Sequence, residues 1–310
     1  MAELKATRDG YGEGLVEAGK NESVVALDAD LAESTRSIKF KEKYPLRFFD
    51  VGIAEQNLVA TAAGLAASGK IPFASSFAVF ITGRAYDQIR LNAGISHLNM
   101  KIVGSHAGLL TGEDGASHQS LEDISLMRGI PGMVVIQPCD FVEAKKATIE
   151  IAKYKGPVYL RLSRGKVPVI NDENYKFEIG KGIMLKQGKD IAIIATGALV
   201  NEALIASDML KEKGIGARVI NIHTIKPIDK EIIIKAAKET GCVITAEDHS
   251  IYGGLGSAVA EILAENCPTK MHRIGVNDKF GESGEPSELY KKYGLTAEDI
   301  VKAAEKLLKK

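Results

Sequence analysis

Short apolar runs rich in Val, Ile and Phe alternate with longer amphipathic stretches along nearly the whole chain. The pattern predicts strands at SVVALD (23–28), FFDV (48–51), KIVGS (101–105), MVVIQ (133–137) and PVYLRL (157–162). Helical periodicity separates them at 55–68, 83–94, 122–129 and 141–155. Continuous apolar strands divided by helices imply a parallel sheet covered on both faces. Beyond Arg164 the periodicity lapses into GKVPVINDENYKFEIGKG, which reads as a linker. A second series follows, with strands expected at 190–197, 217–222, 242–248 and 271–276 and helices at 199–214, 228–241 and 257–266. The last segment, TAEDIVKAAEKLLKK, predicts a helix with Thr296 as N-cap and lysines at its negative end. The expected fold is therefore α/β in two domains, 1–166 and 189–310, joined by a linker at 167–188, each domain a mainly parallel sheet flanked by helices.

A chain of 310 residues accommodates two domains. Its 40 basic and 40 acidic residues cancel, so no excess positive charge is available for a nucleic-acid backbone. The apolar runs are too short to span a bilayer, and the charged N-terminus lacks a signal-peptide core. Three scattered cysteines (Cys139, Cys242, Cys267) fit neither a disulfide framework nor a zinc pattern. A reducing, cytoplasmic location is expected, with no membrane and no nucleic-acid partner.

Ligands of open parallel sheets sit beyond the carboxyl ends of the strands. The first domain gathers polar residues at those turns, in 28–35, 50–56, 75–80, 105–119 and 162–166, whereas the second is blander and is expected to support assembly. In RFFDVGIAEQN a carboxylate, Glu55, opens a helix expected to be buried. A first-turn glutamate can simply complement the helix dipole, but burying it calls for a polar partner. The loop SHAGLLTGEDGASHQSLED carries His106, Asp114 and His118 among Gly108, Gly112 and Gly115. It reads as a solvated loop, a zinc site or a site for a hydroxyl-rich substrate. Arg164 at a strand end and Arg8, expected just before a helical segment, suit a phosphate or carboxylate. The glycine cluster GGLGSAV (253–259) reads as packing.

Taken in order, ATRDG, LDADLAEST, DVGIAEQN, SSFAVF, GSHAGLLTGEDGASHQSLED and LSRGKVP resemble the C-terminal half of transketolases, and the likeness covers practically the whole chain. It implies a thiamine-diphosphate pyrimidine-binding fold followed by a transketolase C-terminal domain. It further implies that Glu55 hydrogen-bonds the N1′ nitrogen of the thiamine diphosphate pyrimidine and so promotes activation of the thiazolium carbon. Phe80 would stack on the pyrimidine, Phe77 would line the pocket, and Asp30 would lie near the cofactor. His106 and His118 would move protons as the sugar reacts, and with Asp114 would contact its hydroxyls. Arg8, Ser34 and Arg164 would bind a terminal phosphate. The implied reaction moves a two-carbon ketol unit from a ketose phosphate such as xylulose 5-phosphate to an aldose phosphate, as in the pentose phosphate pathway.

Two departures stand out. The aromatic that many transketolases carry shortly after the second phenylalanine is missing from Phe80-Ile81-Thr82-Gly83. No Gly-Asp-Gly element for the diphosphate metal occurs at all. The resemblance thus implies a split enzyme: an N-terminal transketolase subunit would hold the diphosphate and its Mg2+ or Ca2+, in an α2β2 assembly, and this chain would hold no metal. Rival readings are the β subunit of a 2-oxo-acid dehydrogenase, a 1-deoxyxylulose-5-phosphate synthase and a non-catalytic interaction subunit. The first has no need of His106, Asp114 or the phosphate-binding arginines, the second normally has an aspartate at position 106, and the intact residue set argues against the third.

Overall fold

The computed structural model describes residues 3–309. Its strands are β1 Leu4–Ala6, β2 Val24–Asp28, β3 Phe48–Asp50, β4 Ile71–Phe77, β5 Lys101–Ser105, β6 Val134–Ile136 and β7 Val158–Arg161. They continue with β8 Lys166–Pro168, β9 Ile183–Lys186, β10 Ile191–Ala195, β11 Ala217–Asn221, β12 Thr224–Lys226, β13 Cys242–Ser250 and β14 Lys270–Val276. The larger sheet runs β12-β6-β7-β5-β4-β2-β3, and only β12 is antiparallel in it. The smaller runs β14-β13-β10-β11-β9, with β9 antiparallel. Mainly parallel sheets flanked by helices are what the alternating pattern implies.

The central strands read as continuous apolar runs because both faces are covered: β2, β5, β7 and β10 are buried throughout. The helix Glu55–Ala67 is less buried than expected. It turns Leu58, Val59, Ala62 and Ala63 inward and leaves Gln56, Asn57 and Ala60 exposed. Each large apolar side chain so buried is worth about 1.5–3 kcal/mol. β3 is an edge strand with only Phe48 buried, so its apolar sequence overstates its depth. The single helix expected over 83–94 is broken into Ala78–Arg84, Tyr86–Ile89 and a π-helical turn, Arg90–Ile95. Thr296 caps the helix Ala297–Leu308 as expected, in a reciprocal box with Asp299.

Five strands escape the pattern. β1 and β8 form a separate antiparallel ribbon. β4 is disguised by its proline and serines, and β9 lies inside the expected linker. β12 belongs by sequence to the second half but pairs with β6 of the first sheet.

Candidate functional site

The site forms at the carboxyl edge of the larger sheet. β4 and β5 pair with Phe77 opposite Ser105. The next residue after β5, His106, therefore lies against the Phe77 ring, their centroids 3.8 Å apart and nearly parallel. Phe80 follows Phe77 into the helix Ala78–Arg84 and stacks beside it at 5.7 Å. His118 meets both phenylalanines edge-on, at 5.9 and 5.1 Å.

His106 is buried and takes a left-handed backbone, φ +56°, unusual for a residue with a side chain. Arg8 Nη1 donates to its Nε2 at 3.2 Å, and its Nδ1 lies 3.0 Å from the Ser105 hydroxyl. A guanidinium only donates, so Nε2 accepts and the proton resides on Nδ1. Burial, reinforced by the positive charges of Arg8 and Arg164, pushes the His106 pKa down to about 3. An imidazole facing a cation in this way is poorly placed to ligate zinc, and no group of three metal-ligating side chains occurs among the described residues.

Arg8 lies inside the first turn of the helix Thr7–Ala18, not before a helix as expected. From there it also donates to the Ser34 backbone carbonyl at 3.0 Å, so Ser34 meets Arg8 through its main chain. The Nε of Arg8 is buried without a partner. The loop bearing Ser34 is shaped by Asp28 at the end of β2. Its carboxylate accepts from the Leu31 amide and from the Thr35 and Ser37 hydroxyls at 2.7–2.8 Å. Burial raises the Asp28 pKa to about 6 despite these bonds.

Glu55 is 4 % exposed and accepts from Nη1 of Arg84 at 2.9 Å. The same guanidinium lies 4.0 Å over the Phe80 ring. Arg164 donates to the Thr111 carbonyl at 2.6 Å and to Glu113 at 2.9 Å, with Asp114 at 3.7 Å. A run of contacts thus links Ser34, Arg8, His106, Phe77, Phe80, His118, Arg84 and Glu55. Asp30 stands apart from it: exposed, with φ +63°, its amide donates to Asp50. Arg84, which closes the run, has no signal of its own in GRAYDQ, where it reads as an ordinary helical charge.

The GGLG segment offers no anion site. The first amides of the helix Leu255–Asn266, those of Leu255 and Gly256, donate to the buried carboxylate of Glu247 at 2.7 Å each. A cleft of about 500 Å³ beside that helix has two of its cations engaged. Arg128 pairs there with Glu261, and Lys226 donates to the carbonyls of Arg128 and Ile130.

Residues 4–169 match the transketolase pyrimidine-binding domain and residues 180–300 the transketolase C-terminal domain. The chain belongs to the transketolase family and corresponds to its C-terminal half. It is 53% identical over 310 residues to a transketolase C-terminal section from Methanocaldococcus jannaschii, covering 99% of this chain and 97% of that one. It is 48% identical over 298 residues to a 6-deoxy-6-sulfo-D-fructose transketolase subunit of a Clostridium species, covering 96% and 92%. A solved "split gene transketolase, inactive beta4 tetramer" superposes with a TM-score of 0.92 at 50% identity, covering 98% of both chains. Against the transketolase of Rattus norvegicus, 40% identical, the chain spans 49% of the longer protein.

Proposed function

We propose that this chain is the pyrimidine-side subunit of a thiamine-diphosphate-dependent transketolase whose diphosphate and Mg2+ or Ca2+ are held by a separate N-terminal subunit. The observation that carries the reading is the double contact of Arg84. A flat guanidinium donates a hydrogen bond to Glu55 while lying on the face of Phe80. With a proton shared between the carboxyl and its N1′ nitrogen, the flat aminopyrimidine would suit the same acid and the same aromatic face, so the residues present fit the group. When bound, the cofactor supplies the nucleophilic carbon of the two-carbon transfer.

Glu55 would hold the pyrimidine through its ring nitrogen, with Phe77 and Phe80 flanking it and Asp30 at the edge. His106, neutral and with its lone pair given to Arg8, would position the sugar and keep water from the reacting carbon. The more open His118 would hold or pass a proton at the reacting oxygen, and Asp114 would accept from sugar hydroxyls. Arg8, Arg164 and the Ser34 turn would hold an anionic end, far enough from the chemistry to orient the substrate. The unpartnered Nε of Arg8 supports that assignment. The relative named for a sulfo sugar also handles a substrate with an anionic end.

The test is to mix the chain with the diphosphate-binding subunit of its own organism, thiamine diphosphate and Mg2+. Ketol transfer from xylulose 5-phosphate to an aldose phosphate is expected only in the mixture, with the 6-sulfo ketose as a parallel donor. Transfer by this chain alone would overturn the split reading, and turnover of pyruvate would favour a 2-oxo-acid dehydrogenase instead.

A further inference from the structure

The loop that carries both site histidines is held from the second domain. Asp248, near the end of β13, is fully buried. Its carboxylate accepts from the amide of Leu109 at 2.9 Å and from that of Leu110 at 3.4 Å, and the Tyr290 hydroxyl donates to it at 3.1 Å. Gly108 lies flush against the same carboxylate: a Cβ there would stand 2.2 Å from an oxygen, and its φ of +76° already excludes most side chains. The next residue after the pair, Thr111, turns its hydroxyl back to the His106 carbonyl at 2.7 Å. Asp248 is therefore two hydrogen-bonded steps from the residue whose left-handed backbone aims the imidazole at Arg8.

The opposite end of the loop is tied to the second domain as well, in part through Arg161 at the end of β7 in the first sheet. Arg161 donates to the carbonyls of Ser120 and Asp248 at 3.1 and 3.0 Å, and Gln119, next to His118, donates to the Glu282 carbonyl at 2.9 Å.

We propose that Asp248 is a positioning residue for His106: by fixing the Leu109 and Leu110 amides it sets the turn that presents the imidazole to the anion-binding arginines. The inference rests on the proposed transketolase reading for its kinetic consequence but not for its structural one. A role confined to packing within the second domain makes a different forecast, because Tyr290→Phe removes a bond to Asp248 inside that domain and leaves the carboxylate on the loop amides. Asp248→Asn keeps the shape and replaces one acceptor oxygen by a donor, which leaves one of the two amides unmatched.

Amide hydrogen exchange on the isolated chain is read first. Asp248→Asn is expected to speed exchange across 106–112 at least about tenfold with the remainder unchanged, while Tyr290→Phe stays within about twofold of the wild type. In the complex with the diphosphate-binding subunit, Asp248→Asn is expected to raise the KM for the ketose phosphate roughly tenfold or more, leaving the affinity for thiamine diphosphate unaltered. Should Asp248→Asn not fold, Thr111→Val, which cuts the last step to His106, carries the same expectations. Unchanged exchange, equal effects of the Asn and Phe variants, or a parallel loss of cofactor affinity would each overturn the proposal. If the wild-type pair transfers no ketol unit, the functional reading fails and the exchange measurement alone decides the role of Asp248.

Discussion

Arg8 donates to His106 across 3.2 Å, and this single bond settles which ring nitrogen carries the proton. The imidazole is a lone-pair donor toward the arginine and an N–H donor toward Ser105.

Its charge state follows. An unfolded histidine takes up a proton below about pH 6.5, whereas His106 in the folded chain, buried among guanidiniums, resists until about 3. Between these values protons bind the unfolded chain preferentially. His106 therefore contributes stability that is complete above the upper value and fades as the pH falls toward the lower one. His106→Asn is expected to lack this part of the acid loss, so that the wild type's advantage over the variant shrinks on acidification in urea titrations. Imidazole nitrogen NMR should show His106 neutral and Nδ1-protonated at pH 5.

Glu55→Gln keeps a carbonyl that can still accept from Arg84, so the melting temperature should stay close to that of the wild type. Ketol transfer by the assembled enzyme is expected to fall by about 10²–10⁴-fold. Unfolding of the variant would instead make Glu55 a structural residue.

Arg84→Ala leaves Glu55 buried without its donor. The chain alone should lose roughly 1–3 kcal/mol in urea denaturation, the cost of stranding a buried acceptor. In the assembled enzyme thiamine diphosphate should bind more tightly by calorimetry, because no guanidinium then competes for the carboxylate and the Phe80 face.

Arg161 and Asp123 form a two-bond ion pair at 2.7 and 3.1 Å, 2 % and 0 % exposed, and the Tyr159 hydroxyl also donates to the same carboxylate. Removing one side leaves an uncompensated charge in the core. Arg161→Met is expected to cost about 3–5 kcal/mol by denaturant unfolding.

The sequence pattern was most informative where burial was symmetrical. Strands covered on both faces, such as IAIIA and the VVI of β6, were readable because nothing polar interrupts them. It misled at Phe48–Asp50, where an apolar run marks an edge, and at Ile71–Phe77, where Ser75 is fully buried but meets the Tyr11 hydroxyl at 2.6 Å. The polar residues of the site stood out at strand ends, yet spacing could not join Arg8 to His106, 98 positions apart. Arg84 and Asp248 were hidden for a related reason: each acts through a contact with a distant segment. A carboxylate–histidine run closing the strand CVITAEDHS was the available sign that this end of the second domain was not bland.

β12 has an evolutionary corollary. A strand numbered with the second half is laid along the outer edge of the first sheet, so the border in the sequence and the border in space do not coincide. A gene break or recombination point placed between the halves would strip the upstream piece of its marginal strand and leave β6 with an open flank. The two halves should accordingly be inherited, exchanged and transplanted as one cassette.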